Sequence, residues 1–327
     1  MDRESWYKEI SMPLHSLLIY LLSLAAVAAA CRQALKLAKA FRLYFLSSYL
    51  GYLVAVGIVF ILNLVVTDLS TEVLRDIPPQ GLIPVYILFG LVAFPLFAIA
   101  WYFALTFAAG ILDEELSPAV RIAYILLWGV LFGIFLLRIQ LALRHQSLPP
   151  SARFLDKGSG LIAAVIPVAI FIYMMVRAGR RSRSEERAGL VKLGAVSLAG
   201  YLALVASIII LQVGLPFRLA APVLLGIALL APVLVLRGFL SRFYRPIPAG
   251  TFEGPALGSL GERCGLSNRE GEILGLLLRG KSNKEIERDL FISPHTVRNH
   301  VHNIYQKLGV GSRLQLMNFV RTRIEDD

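Results

Sequence analysis

Charged residues are scarce in this sequence. They make up 17% of its 327 residues, whereas an ordinary soluble domain contains about 25%. Hydrophobic residues make up 57%, and the mean hydropathy is +0.67. The apolar residues are concentrated between 14 and 240, while residues 262–327 have the composition of a soluble protein. The shortage of charge therefore excludes a single water-soluble domain and indicates that lipid surrounds much of the chain.

Cysteine is almost absent, because Cys31 and Cys264 are the only two. They fall in different parts of the chain, so a disulfide between them is not expected. Neither has histidine or cysteine neighbours at a spacing typical of a metal site. We therefore expect no disulfide, no metal and no cofactor.

Groups that would perform chemistry within a membrane are also few. The centres of the apolar segments contain almost no ionisable residues, and the last segment has no lysine that could hold retinal. The cations lie near predicted segment ends, where snorkelling to water costs little: Arg121, Arg138, Arg177, Lys192 and Arg218. Paired carboxylates, histidine clusters and nucleophile–base sets are missing. The pattern argues against an enzyme, and a transporter or intramembrane enzyme with an accessory domain is the alternative interpretation.

Seven apolar stretches are each long enough to cross about 30 Å of hydrocarbon. They cover residues 14–31, 44–67, 82–112, 119–141, 159–178, 189–213 and 217–240. Pro95 in the third predicts a kink, which neighbouring helices tolerate. The first resembles a signal peptide, but its basic residues follow the apolar run instead of preceding it, which favours a retained helix. We predict an all-α, polytopic bundle of about seven membrane helices.

Basic residues give this bundle an orientation. Residues 32–43 and 177–184 are rich in Lys and Arg, and such loops face the cytoplasm. The N-terminus is then outside and the C-terminus inside. Two loops disagree with this topology: the acidic residues 113–115 would be cytoplasmic, and the basic loop 142–158 would be outside.

Polar side chains within the segments have two interpretations. The first is hydrogen bonding between helices together with aromatic residues at the membrane interface. The second is a pocket for a small apolar ligand or a lipid. The residues concerned are Tyr52, Asn63, Tyr86, Trp101, Tyr102, Thr106, Tyr173, Ser197, Tyr201 and Gln212.

Residues 241–261 are rich in Pro and Gly and lack helical periodicity, which is typical of a linker. We therefore divide the chain into a membrane domain at 1–240, a linker at 241–261 and a soluble domain at 262–327. Residues 256–327 contain eleven Lys or Arg and nine Asp or Glu, a net charge of +2. Most of the chain's net charge of +11 thus lies in the membrane domain.

Four short helices are predicted in the soluble domain. Ser267 precedes Glu270 by three residues, and Ser282 precedes Glu285 by three, which is the spacing of a capping box. Ser293 followed by Pro294 favours the start of a third helix, and Gly309 favours its end. Ser312 is a candidate cap for the fourth.

The third helix has two different faces. Val297, Val301, Ile304 and Leu308 recur along one stripe. The opposite stripe, at about 100° per residue, carries His295, Asn299, His302 and Gln306 and contains no acid. A helix with such a face, preceded by a short helix and a tight turn, is what binding in the DNA major groove requires.

The resulting site prediction has three parts. Candidate base contacts are Arg298, Asn299, His302 and His295, because Asn pairs with adenine and Arg with guanine. Candidate phosphate contacts, which set the register on DNA, are Asn283, Lys284, Thr296, Asn303 and Lys307. The apolar surface of the fourth helix would form a dimer contact through Leu314, Leu316, Phe319 and Val320.

The segments LeuSerAsnArgGluGlyGluIleLeu, SerAsnLysGluIle, IleSerProHisThrValArgAsnHis and AsnIleTyrGlnLysLeuGlyVal resemble the LuxR/NarL (GerE) family of helix-turn-helix domains. The resemblance covers about 60 of the 327 residues. It implies a four-helix domain that binds double-stranded DNA as a homodimer through its last helix, with base contacts at Arg298, Asn299 and His302. Arg298 stands where lysine is commoner, and Gly271 is unusual within the first helix.

These observations predict a transcription regulator in the bacterial cytoplasmic membrane, with the bundle acting as a sensor. Two alternatives stay open. The bundle is only an anchor and proteolysis in the linker releases the regulator, or the C-terminal domain binds a protein instead of DNA.

Overall fold

The computed structural model describes residues 14–41, 43–70, 74, 77, 81, 83–114, 116–143, 153–180, 184–212, 217–243 and 263–325. Its elements within these ranges are all helical. The N-terminal helices are α1 (Leu14–Phe41), α2 (Phe45–Asp68), α3 (Ile83–Ile111), α4 (Pro118–Leu143), α5 (Arg153–Gly179), α6 (Ser184–Gln212) and α7 (Ala220–Phe243). The C-terminal helices are α8 (Asn268–Leu278), α9 (Asn283–Leu290), α10 (Pro294–Leu308) and α11 (Arg313–Glu325).

The chain forms two compact units. The first contains residues 1–33 and 48–235, and the second contains residues 34–47 and 236–327. The second unit thus includes the C-terminal helices together with one end of α1, the start of α2 and one end of α7. Most of the predicted linker, from residue 244 onward, lies outside the described residues.

Within the part of the chain that the structure describes, six helices are long and apolar enough to cross a membrane. They are His15–Phe41, Phe45–Asp68, Pro84–Ile111, Pro118–Leu141, Glu186–Leu211 and Ala220–Phe243. The exception is α5, whose described apolar stretch, Ala164–Gly179, is shorter. The seven predicted segments therefore correspond to seven long helices, of which six have the length and composition of a membrane span. The first helix also extends ten residues beyond its predicted end, because Arg32, Lys36 and Lys39 are compatible with helix and continue it.

Aromatic side chains fill the centre of the first unit. The buried Trp101 ring lies 5.4 Å from the Tyr52 ring, 5.2 Å from the Tyr201 ring and 6.0 Å from the Phe171 ring. The Tyr201 hydroxyl donates to the Ala164 carbonyl at 3.0 Å, which joins α6 to α5. Tyr52, Trp101 and Tyr201 thus pack together between helices, and Tyr201 also hydrogen-bonds between helices, in line with the first interpretation.

The arginine at the start of α7 differs from the expectation. Arg218 was predicted to snorkel at a segment end, but it is 4% exposed and forms an ion pair with Asp68, itself 6% exposed. A buried carboxylate costs much less free energy when it is paired. Arg218 therefore stays inside the protein, where it holds the end of α2 to the start of α7.

One loop that disagreed with the predicted topology has a partner. The Glu114 carboxylate accepts a hydrogen bond from the Arg177 guanidinium at 2.8 Å and another from the Tyr173 hydroxyl at 2.6 Å. Arg177 belongs to the basic cluster expected in the cytoplasm. The acidic loop and this cluster therefore lie at the same end of the helices, which agrees with the predicted orientation.

The C-terminal helices share a core of their own. Ile273 and Leu277 of α8, Ile286 of α9 and Ile304 of α10 are fully buried, and α11 adds Leu316. Burying side chains of this size contributes about 1.5–3 kcal/mol each relative to leaving them in water. The four helices α8–α11 therefore have the apolar core that a small independent domain needs.

Candidate nucleic-acid interface

Side-chain caps fix where the C-terminal helices begin. The Ser267 backbone N–H donates to the Glu270 carboxylate at 2.8 Å, while the Glu270 N–H donates to the Ser267 hydroxyl at 3.3 Å. Ser282 and Glu285 form the same reciprocal pair at the start of α9. At α10, Ser293 accepts from the Thr296 N–H at 3.1 Å. The two capping boxes and the serine–proline start predicted from the sequence are confirmed.

The capping carboxylates remain charged well into the acid range. Burial raises the pKa of Glu270, but hydrogen bonds from Lys307 and Ser267 outweigh it and hold that pKa below its ordinary value. The balance at Glu285 is similar: burial raises its pKa, and the hydrogen bonds from Ser282 together with the nearby charges of Lys281 and Arg288 lower it below its ordinary value. Both side chains are therefore ionised caps at neutral pH, as favours a helix N-terminus.

The two faces of α10 are confirmed. Val297, Val301, Ile304 and Leu308 are buried against the other helices. His295, Arg298, Asn299, His302 and Asn303 are exposed on the other side. We call these five residues the polar face of α10. The helix ends at Gly309, whose φ of 64° is in the left-handed region where glycine is unstrained.

Two residues of the polar face contact each other. The Asn299 side-chain amide lies 3.2 Å from the His295 Nδ1 atom, one helical turn away. When that ring nitrogen is the acceptor, it fixes the Asn299 N–H₂ group toward His295. His295 therefore positions Asn299 as well as being a candidate base contact itself.

The candidate phosphate contacts divide into two groups. Lys284 and Asn303 are exposed, and Asn283 and Thr296 are partly exposed. Lys307 differs, because its ammonium group lies 2.7 Å from the buried Glu270 carboxylate and donates to the Gly265 carbonyl at 3.0 Å. This ammonium group holds the C-terminal half of α10 to the start of α8.

The predicted dimer surface of α11 is only partly on the outside. Leu316 and Val320 are fully buried in the core of the domain itself. Phe319 is half-buried against that core, and its ring lies 5.3 Å from the Arg323 guanidinium. The side chain of Leu314 lies outside the part of the chain that the structure describes. Leu316 and Val320 thus face inward, where they belong to the core that residues of α8, α9 and α10 also form.

Two structurally important residues were missed by the sequence reasoning. Arg313 is 4% exposed and donates to the Leu277 carbonyl at 2.7 Å, near the end of α8. Phe291 ends α9 with a φ of 53° and is 94% exposed, in the turn that separates the two helices of the helix-turn-helix. The sequence shows that an apolar residue, Phe291, directly follows Leu290, but it does not show that the Phe291 side chain is exposed.

Comparison with known proteins identifies the same region. The family of bacterial regulatory proteins, luxR family, matches residues 265–320. The spore germination protein GerE of Bacillus subtilis is 54% identical over 50 residues, which are 15% of this chain and 68% of that protein. The CsgBAC operon transcriptional regulatory protein of Escherichia coli is 42% identical over 59 residues, which are 18% of this chain and 27% of that protein.

A further relative is the HTH-type transcriptional regulator MalT of Yersinia pestis, which is 38% identical over 65 residues, or 17% of this chain and 7% of that protein. No solved structure matches the chain. The family match at residues 265–320 spans the capping serines of α8–α10, the buried stripe of α10 and its polar face. Through that domain, the chain belongs to the luxR family of bacterial regulatory proteins.

Proposed function

We propose that this protein is a membrane-bound transcription regulator of bacteria that binds double-stranded DNA through the polar face of α10. The observation that carries the proposal is the exposed, acid-free face of a helix whose opposite face forms the core. Phosphates repel carboxylates, so an acid-free surface at this place suits DNA. Membership of a family whose named relatives are transcriptional regulators supports the same function.

Within the major groove, Arg298, Asn299 and His302 would contact base edges, and His295 would contact bases and orient Asn299. Asn283, Lys284, Thr296 and Asn303 would contact phosphates and set the register. We leave Lys307 out of the phosphate contacts, because its ammonium group is bound to Glu270 within the domain. The low net charge of +2 in residues 256–327 makes each single domain a weak DNA ligand, so two copies bound together would be needed for tight binding.

The proposed assembly is a homodimer on a pseudo-palindrome, with the α10 helices one DNA turn apart. The side of α11 that faces away from the core would make the dimer contact, since Leu316 and Val320 are buried. Asn318 lies on that outer side, about 160° around the helix from Val320.

The membrane part of the proposal rests on length, composition and charge. Six of the described helices have the length and composition to span a membrane. If α5 also crosses the membrane, the C-terminal domain is on the side opposite the N-terminus, in the cytoplasm with DNA. Glu114 and Arg177 lie together, which supports a shared cytoplasmic side for the ends of α3 and α5. We propose that the bundle lies in the cytoplasmic membrane and receives a signal there.

The buried Asp68–Arg218 pair is the part of the bundle best suited to receiving that signal. Ionisable residues in membrane helices are costly and usually functional. This pair connects helices that are far apart in the sequence, so a ligand or a change of protonation that opened it would alter how α2 and α7 are held. A small apolar ligand or lipid among the aromatic side chains around Trp101 remains the alternative.

Selection of duplex DNA from a random pool by the full chain in lipid nanodiscs tests DNA binding. We expect a selected sequence with two related half-sites. Asn299→Ala or His302→Ala should then relax preference at a single base pair at a cost of about 1–3 kcal/mol, whereas Lys284→Ala should weaken all sequences equally. If no sequence is enriched at low salt, or if Asn299→Ala weakens every sequence to the same extent, the assignment is wrong.

A further inference from the structure

The outer side of α11 is in contact with another part of the second compact unit. That unit contains residues 34–47 and 236–327, so the C-terminal domain belongs to it together with the ends of three predicted membrane helices. Asn318 donates a hydrogen bond from its side-chain amide to the carbonyl of Phe243. Phe243 is the last residue of α7, and a carbonyl at a helix end has no partner within its own helix.

A second contact lies at the start of the same helix. The Arg313 guanidinium lies 5.3 Å from the centre of the Tyr44 ring, within the range of a cation–π interaction. Tyr44 occupies the turn between α1 and α2. Because this guanidinium also donates to the Leu277 carbonyl, the cation is held both by α8 and by the Tyr44 ring.

These two anchor contacts, Asn318–Phe243 and Arg313–Tyr44, both involve α11. The polar face of α10 is not involved, since His295, Asn299 and His302 are exposed in the same structure. The anchors therefore occupy the proposed dimer helix and leave the proposed DNA-binding helix accessible.

We propose that the end of α7 binds the outer side of α11 at Asn318, that Tyr44 holds Arg313 at the start of the same helix, and that these contacts compete with the α11 helix of a second copy. This inference rests on the proposed function, in which dimerisation through α11 gives tight DNA binding. In the anchored state the domain binds a single half-site weakly. Release of the anchors allows two copies to pair and to bind a full operator tightly.

The same two helices carry the buried ion pair at their other ends. Asp68 ends α2 and Arg218 precedes α7, while Tyr44 precedes α2 and Phe243 ends α7. Each helix is continuous between its ion-pair end and its anchor end. A signal that opens the Asp68–Arg218 pair thus acts on the two helices that hold α11, which gives the bundle a physical route to the regulator.

The test uses the full chain in detergent micelles, with the variants Asn318→Ala and Tyr44→Leu, and with Tyr44→Phe as the matched control that keeps the ring. The dimer fraction is measured by mass photometry. Binding is measured on two duplexes selected by the wild-type chain, one with both half-sites and one cut to a single half-site. Both readouts use the same preparations.

Loss of one anchor contact should raise affinity for the two-site duplex by roughly fivefold to tenfold and raise the dimer fraction in parallel. Affinity for the single half-site should stay within about twofold, because one copy binds it without pairing. Tyr44→Phe should behave as wild type. Equal behaviour of Tyr44→Leu and Tyr44→Phe, or unchanged dimer fractions in both Asn318→Ala and Tyr44→Leu, would overturn the inference.

The route from the ion pair is tested by Asp68→Asn, which keeps the shape of the side chain and removes its charge. Asp68→Asn should raise the dimer fraction in the wild-type background and add nothing in the Asn318→Ala background. An additive effect in the double variant would contradict a shared route. If no chain, wild type or variant, binds any duplex, the proposed function fails, while the dimer fractions still report on the anchors.

Discussion

Lys307 provides the sharpest test of the role each cation plays in the C-terminal domain. Its ammonium group lies 2.7 Å from the Glu270 carboxylate, and the two side chains are 40% and 5% exposed. Lys307→Met keeps the length of the side chain and leaves a buried carboxylate with one partner fewer. A hydrogen bond to a charged group contributes about 1.5–3 kcal/mol, and water reaching the exposed side reduces the loss to about 1–2 kcal/mol.

A domain of this size loses about 4–8 °C in Tm per kcal/mol. We therefore expect the Tm of a soluble fragment, residues 256–327, to fall by about 5–15 °C in Lys307→Met. The salt dependence of DNA binding should not change at temperatures where the fragment is folded, because the proposed phosphate contacts do not include Lys307. Thermal denaturation followed by circular dichroism and DNA titrations at several salt concentrations measure the two quantities.

Lys284→Met is the matched control, since Lys284 is an exposed lysine and a proposed phosphate contact. It should leave the Tm unchanged and make the fall of log K, the DNA-binding constant, with log salt concentration shallower by about 0.9. The reasoning is refuted if Lys307→Met changes the Tm by less than about 2 °C and also changes the salt dependence in the way that Lys284→Met does.

Three further predictions concern stability. Gly271→Ala should raise the free energy of unfolding by about 0.5–1 kcal/mol, because an added Cβ there meets no atom within 4 Å; a lower Tm would contradict this. The pKa values of Glu270 and Glu285 are lowered in the folded domain, so the ionised carboxylates stabilise it. This contribution is fully present above pH 4.5, the ordinary pKa, and is lost as the pH falls through the lowered values. A Tm of the domain that stays constant from pH 5 to about 2 would refute this prediction. Arg218→Met leaves Asp68 buried without its partner and should destabilise the detergent-solubilised chain by about 3–5 kcal/mol. The double variant Arg218→Met with Asp68→Asn should recover part of this loss. Equal melting temperatures of the single and double variants would contradict a stabilising role for the ion pair.

Features set by local sequence were predictable. The caps at Ser267, Ser282 and Ser293 depend on residues within one helical turn, and the buried stripe of α10 depends on a fixed spacing. The long helices follow from runs of apolar residues in the same way. These elements agree with the structure because short-range rules determine them.

Features set by contacts between distant residues were not predictable. Lys307 meets a carboxylate 37 positions away and Arg218 meets one 150 positions away, so neither partner is visible in a window of sequence. The spacing in α11 shows which residues are apolar, but it does not show that Leu316 and Val320 face their own core. Single cations and apolar residues acquire their roles from packing, and for that reason the proposed phosphate contacts leave out Lys307 and the proposed dimer surface leaves out Leu316 and Val320.

DNase footprinting of the full chain in lipid nanodiscs tests the central claim most directly. The probe is a duplex selected from a random pool, and the comparison is the chain with Asn299→Ala and His302→Ala together. We predict protection of two half-sites about ten base pairs apart by the wild-type chain, and loss of that specific protection in the double variant. No protection by the wild-type chain at low salt, or equal protection by the double variant, would contradict the account.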